Sequence, residues 1–205
     1  MRAGEGQDRE LRGDERRAVG RALRAAGSVR SLLDVAAGNG RWLPLLAGKA
    51  TGPVVAVDLS LAELQLARGA LSANLPEGRA AYAASDAGAL PFRSQSFDLV
   101  VCLGLFPHVR RSGRVRALRE LRRVSNRWVL VQYAHAEGLG FLWQRTKKSI
   151  GLSARLPRNH LTRREVQAEM RQAGLGVRGF ARVGGPFSRT WIVLAEAPSS
   201  DWMKS

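Results

Sequence analysis

The segment Leu32-Leu-Asp-Val-Ala-Ala-Gly-Asn-Gly40 constrains this chain more than any other. An apolar run long enough for a short buried strand ends in two glycines, Gly38 and Gly40. Helical spacing then resumes through Trp42, Leu45 and Leu46, with Pro44 confined to the first turn. A strand that turns through glycines into a helix lets backbone approach a ligand closely and aims helix N-terminal amides at it. The next apolar stretch, Pro53-Val-Val-Ala-Val-Asp58, ends on an acid 18 residues after Gly40. In nucleotide-binding α/β folds an acid at that place accepts the hydroxyls of a ribose.

The rest of the chain alternates in the same way. Ala18, Val19, Ala22, Leu23 and Ala26 recur at helical spacing from Asp14 onward, and Gly27 supplies a stop. Residues 1–13 show no such periodicity and read as a flexible tail, as do residues 198–205. Leu61 to Leu71 is a helix capped by Ser60 with Glu63 three residues on. Ala80 to Ala84, Phe97 to Cys102 and Trp128 to Tyr133 are strands, and Val115 to Val124 is an arginine-rich helix. Thr162 and Glu165 form a capping box for a helix that stops at Gly174. Two last strands, Gly176 to Val183 and Arg189 to Ala195, meet at Gly184-Gly-Pro186. The pattern predicts an α/β protein: a Rossmann-like, seven-stranded, mostly parallel sheet with helices on both faces and a C-terminal antiparallel hairpin at its edge. One domain over residues 14–197 is expected, with a lid-like insertion at about 134–160.

Composition removes several classes of function. With 205 residues, 45% of them hydrophobic, there is material for one sizeable core. The longest apolar run, Leu99 to Phe106, stops at Pro107, far short of the ~20 residues of a membrane span. No apolar leader opens the chain, and the single cysteine, Cys102, excludes an internal disulfide; a cytoplasmic protein is expected. One cysteine and three scattered histidines do not make a zinc site. The net charge of +16 is concentrated. Residues 110–127 hold eight arginines against Glu120, and residues 141–164 hold five arginines and two lysines with no acid. Such polarity implies either an anionic partner on one side of the molecule or arginine used merely for solvation.

A dinucleotide fingerprint would carry a third glycine at position 43, which is leucine. Asp34-Val-Ala-Ala-Gly-Asn-Gly40 instead resembles the first motif of the class I S-adenosylmethionine-dependent methyltransferases, with Ala36 replacing the first of three glycines. The resemblance extends to Val54–Ser60, to Ser85-Asp-Ala-Gly-Ala-Leu-Pro-Phe92, and to Ser96-Phe-Asp-Leu-Val-Val-Cys102. The subgroup it resembles contains ubiquinone/menaquinone-biosynthesis and other small-molecule enzymes. It implies S-adenosyl-L-methionine as cofactor, bound by Asp34, Ala36, Gly38 and Gly40, by Asp58 on the ribose with Leu59 beside it, and by Asp86 and Ala87 at the adenine. Cys102 closes the fourth motif and borders that site, although its apolar run also suits a core residue. Asp98 within the same motif reads as structural. Ser125-Asn126 replaces the family's usual proline-glycine turn.

Methyl transfer from a sulfonium is a direct displacement, so alignment of the acceptor dominates and a base matters only where the acceptor must lose a proton. His108, Tyr133 and His135 follow the fourth and fifth strands and are the candidate catalytic residues; each also has a reading as turn or core. His160 resembles a lid position. No Asn-Pro-Pro-Tyr or Asp-Pro-Pro-Tyr follows strand four, and no proline precedes Cys102, so neither adenine amino nor cytosine carbon methylation is supported. The expected acceptor is small or lipid-linked and anionic. The alternatives are an RNA methyltransferase, or a non-catalytic module of this fold that binds nucleic acid or an anionic surface through segments 110–127 and 141–164.

Overall fold

A computed structural model describes residues 2–72, 76, 78–135, 160–184 and 190–198. Its strands are β1 (Leu32–Val35), β2 (Val54–Asp58), β3 (Ala80–Ala84), β4 (Phe97–Cys102), β5 (Ser125–Ala134), β6 (Gly176–Arg182) and β7 (Thr190–Glu196). Its helices are α1 (Arg2–Ala26), α2 (Leu43–Ala47), α3 (Leu61–Ser72), α4 (Arg111–Val124) and α5 (Arg163–Gln172). The strands form one sheet in the order β3-β2-β1-β4-β5-β7-β6. All adjacent pairs from β3 across to β5 are parallel, and β7 is antiparallel to both β5 and β6. The hairpin therefore folds back so that the antiparallel strand lies inside the sheet, with β6 at the edge. Isoleucine, valine and leucine on β7 are buried on both faces, which an edge position would expose.

Period-two alternation splits the strands between two cores. Leu32, Val54, Ala56, Leu99, Val101 and Leu130 face α1 and α2, with Ala67 of α3. Leu33, Val35, Val57, Val100, Val129 and Val131 face α4 and α5, through Leu118, Leu121, Val166 and Met170. Fully burying a leucine or valine contributes roughly 1.5–3 kcal/mol, so these interleaved layers dominate the stability. Chain order runs outward from β1 to β3 and then returns to β4 on the other side of β1. That reversal opens a crevice at the carboxyl ends of β1 and β4, the place where open α/β sheets bind ligands.

Two boundaries differ from expectation. Helix α1 runs from Arg2, whereas the apolar spacing in the sequence starts it at Asp14. Helix α4 starts at Arg111, one turn before Val115, because Arg114 points inward. The expected segments 136–159 and 185–189 lie outside the described residues, as do 199–205.

Asp98 is structural. It accepts the amides of Arg30 (2.7 Å) and Ser31 (3.1 Å) and the Asn126 side-chain amide (2.8 Å), joining the amino ends of β1, β4 and β5. Partial burial opposes its charge, but the bonds from Asn126, Arg30 and Ser31 outweigh it and hold the carboxyl below its ordinary range. Asn126 is thus the third donor of this clasp.

Candidate active site

The glycine loop is held from two sides. The Ala37 amide donates to the Val57 carbonyl (3.0 Å) and the Gly40 amide to the Ala37 carbonyl (3.1 Å). The Gly38 amide donates to Asp58 Oδ2 (2.9 Å), whose Oδ1 accepts the Ser60 amide (2.9 Å). Asp58 therefore joins the loop to the cap of α3 before any ligand arrives, and its remaining lone pairs stay available. Ser60 Oγ in turn accepts the Glu63 amide (3.3 Å), as its capping position predicts.

Gly40 is glycine for two reasons. Its φ is +80°, and a Cβ there would lie 2.8 Å from the Ala67 backbone, so α3 could not pack against the loop. Ala36 has φ +57°, the left-handed region where alanine is strained by about 1–2 kcal/mol. The first-glycine position thus keeps a glycine conformation without glycine. Beyond Gly40, Arg41 pairs with Glu15 of α1 at 3.2 Å and ties that helix to the loop.

Asp34 is 1% exposed, and its Oδ2 has no hydrogen-bond partner. Burial and the neighbouring Asp58 charge push its pKa up to about 8. Cys102 ends β4 with its thiol buried; desolvation and the Asp34 and Asp58 charges push that thiol up as well, so it is an inert core group. Leu59, directly after Asp58, is 78% exposed. The Ser85 amide donates to the Asp58 carbonyl (3.0 Å), which sets the Asp86 turn beside β2. Asp86 Oδ1 accepts the Gly88 amide (2.9 Å), and Ala87 packs partly against the α4 side of the core. Asp34, Ala36, Gly38, Gly40, Asp58, Asp86 and Cys102 thus gather around the carboxyl ends of β1, β2 and β4.

The candidate bases separate. His108 closes a 3-10 turn, Phe106–His108, at the crevice end of β4 and is exposed. Tyr133 is fully buried, and its hydroxyl donates to Glu169 Oε2 (3.3 Å); burial and the Glu169 charge push its pKa up. His135 is also fully buried, stacked on Trp191 with ring centroids 4.4 Å apart. His160 lies half-buried in a cleft of about 340 Å³ with Arg110, Arg111 and Glu165.

Sequence reasoning missed the assembly beneath His108. Arg114, 4% exposed, donates through Nε (3.0 Å) and Nη2 (2.6 Å) to both carboxylate oxygens of Glu169 and through Nη1 to the Val109 carbonyl (2.7 Å). Phe106 meets the Tyr133 ring edge-on at 5.1 Å. The turn carrying His108 is thereby fixed on both sides. A signal existed: Arg114 precedes Leu118 and Leu121 by four and seven residues, and Glu169 stands between Val166 and Met170, so each charge occupies an apolar stripe.

Of the eight arginines in the basic stretch 110–127, Arg114 is buried and Arg110, Arg111, Arg116, Arg119 and Arg127 are exposed, several of them with partners on the protein. Arg111 reaches Gln172, Arg116 the Gly88 carbonyl, and Arg123 both Glu120 and the carbonyls of Leu90 and Phe92. Arg127 lies over the Trp128 ring. Of the second stretch, Arg163 covers Phe180 and Trp191, and residues up to 159 lie outside the described set.

Residues 32–127, just under half of the chain, match the family model described as a methyltransferase domain. No curated protein matches the sequence. Among solved structures, magnesium protoporphyrin IX methyltransferase from Synechocystis PCC 6803 with bound SAH is similar, at 17% identity and TM-score 0.74 over 93% of this chain and 86% of that one. A methyltransferase in complex with the Haloferax volcanii Trm112 methyltransferase activator gives 17% identity and TM-score 0.69 over 96% of both chains. The [4+2]-cyclase SpnF gives 16% identity and TM-score 0.67 over 88% and 81%. The fold is the Rossmann-like methyltransferase fold, and the part that matches the family is the part that builds the glycine loop, Asp58 and the Asp86 turn. No helix among the described residues is long and apolar enough to cross a membrane.

Proposed function

We propose that this chain transfers a methyl group from S-adenosyl-L-methionine to a small or lipid-linked, anionic acceptor. The observation that carries the reading is the buried, unpartnered Asp34 oxygen beside the Asp58-clasped glycine loop. A partly exposed Asp58 and a buried Asp34 that a bound cation would ionise suit a ligand with an ammonium group and a ribose better than a dinucleotide's pyrophosphate. Asp34 would take the ammonium, Asp58 the ribose hydroxyls, Leu59 the apolar face of the base and Asp86 its amino group. Gly38 and Gly40 would let backbone come close, and Ala36 and Ala87 would line the remaining wall with Cys102 buried behind it.

When bound, the cofactor supplies a methyl on a sulfonium, open to displacement. The chain's task is then to align the acceptor, exclude water and, where needed, remove a proton. Of His108, Tyr133 and His135, His108 is the one on an exposed turn, and it serves as the base; Tyr133 packs against Phe106 of that turn, and His135 is stacked on Trp191.

Calorimetry with S-adenosylmethionine and its demethylated product tests the reading, with micromolar binding expected. Asp58→Ala should weaken it by roughly 1.5–3 kcal/mol, the worth of hydrogen bonds to a charged group. No binding of either ligand at about 1 mM, a free energy near −4 kcal/mol, would remove the proposal. A related fold serves a cyclase, so methyl transfer needs its own assay: label from S-[methyl-³H]adenosylmethionine appearing in small carboxylic or phenolic acceptors, and lost in His108→Ala.

A further inference from the structure

Helix α4 reaches across to the turn proposed above to read adenine. Arg116 Nε donates to the Gly88 carbonyl (3.0 Å) from 28 residues away in sequence, and its Nη2 lies 3.7 Å from Asp86 Oδ2. The other carboxylate oxygen is already held by the Gly88 amide (2.9 Å). One guanidinium thus touches both ends of a three-residue turn. A Cβ at residue 88 would lie 2.7 Å from Arg116 Nε and 3.1 Å from its Cγ and Cδ, so a side chain there would push this exposed arginine aside. The carboxylate and guanidinium are both more than half exposed, so the pair adds little to folding stability. Its consequence is geometric: the Gly88 amide holds Oδ1, and the guanidinium 3.7 Å from Oδ2 draws that oxygen toward α4.

We infer that Arg116 is a positioning residue that orients the Asp86 carboxylate toward the exocyclic amino group of a purine, and so sets selectivity for adenine over 6-oxopurine ligands. This rests on the proposed cofactor reading. A 6-oxopurine presents a carbonyl to the carboxylate where adenine presents a donor, so a fixed carboxylate rejects it and a freely turning one rejects it less. Arginine suits this place better than lysine, because one guanidinium nitrogen bonds the Gly88 carbonyl while another faces the carboxylate.

The test is binding of S-adenosylhomocysteine and of its deaminated analogue, S-inosylhomocysteine, measured by calorimetry on the intact protein. Wild type should prefer the adenine ligand by roughly tenfold or more. Arg116→Gln should lower adenine-ligand affinity by roughly threefold to tenfold and leave the inosine ligand nearly unchanged, narrowing the ratio. Gly88→Ala, which displaces the guanidinium without removing a charge, should narrow the ratio too, and Arg116→Lys should fail to restore it. Equal losses on both ligands, an unchanged ratio in Arg116→Gln, or full selectivity in Arg116→Lys would each overturn the inference while leaving the cofactor reading in place. Failure of wild type to bind S-adenosylhomocysteine would remove that reading, and the inference with it.

Discussion

The two halves of the crevice are built from opposite materials. On the β1–β2 side, backbone amides and the carboxylates of Asp34 and Asp58 surround the loop, and one acid is left buried without a partner. On the β4–β5 side, a buried arginine is matched by a buried glutamate and every hydrogen-bonding atom of that pair is engaged. The first half is electrostatically incomplete and the second is complete. An incomplete site gains from a ligand, whereas a complete one serves as scaffold. The same difference predicts that charge removal should help the free protein in one half and damage it in the other.

The largest effect belongs to the complete half. Removing one partner of a buried ion pair leaves the other uncompensated and costs roughly 3–5 kcal/mol. Glu169→Ala and Arg114→Met should each lower stability by about that much in a denaturant titration. The double variant Arg114→Met/Glu169→Leu should recover most of the loss, because apolar replacement of both charges ends the desolvation cost. Single variants that unfold at the wild-type midpoint would show that the pair is solvated after all, and the contrast between the halves would collapse.

Asp34→Asn sharpens the contrast with the opposite sign. The folded-state pKa of Asp34 lies at about 8, above its unfolded value near 3.9. A raised carboxyl contributes full stability below the unfolded pKa and loses it as pH rises through the folded one. In the free protein, asparagine should therefore be the more stable variant, with a difference that is small at pH 4, grows through pH 8 and then levels, reaching a few kcal/mol. The same variant should bind S-adenosylmethionine more weakly at pH 8. Thermal melts across that range check both: a constant difference, or a less stable asparagine variant, would mean that Asp34 has a partner and the half is not incomplete.

What could be read from the sequence follows the same division. Gly38, Gly40 and Asp58 lie within one strand–helix–strand unit, so spacing alone exposed them, and the alternation of β1, β2, β4 and β5 exposed the sheet. The Arg114–Glu169 pair spans 55 residues and Tyr133–Glu169 spans 36, so no local pattern joins them. Arginines within a dense basic run read as solvated, which hid the inward turn of Arg114. The place of β7 between β5 and β6 was equally invisible, since hairpin pairing says nothing about which of its strands lies outermost. Gly40 was legible as a glycine but not for its packing reason, which depends on Ala67.

Ala36→Gly gives the smallest and finest test of the incomplete half. Ala36 sits at φ +57° in the loop whose remaining turns are glycines. Alanine in that region costs about 1–2 kcal/mol, while glycine costs the unfolded chain roughly 0.4–1 kcal/mol in added freedom. The two oppose, leaving a net gain of about 0.5–1 kcal/mol, or roughly 1–4 °C in Tm for a domain of this length. No side-chain hydrogen bond is removed, so the gain should be independent of pH, unlike that of Asp34→Asn. If the strain belongs to the loop alone, affinity for S-adenosylmethionine should stay within about twofold, because the glycine variant keeps the same backbone. A stability gain accompanied by tighter binding would mean that the alanine methyl protrudes toward the ligand and narrows the site. A loss of stability would mean that the methyl's packing against the α4-side core outweighs its backbone strain, and the loop would then be held by side chains as the opposite half is.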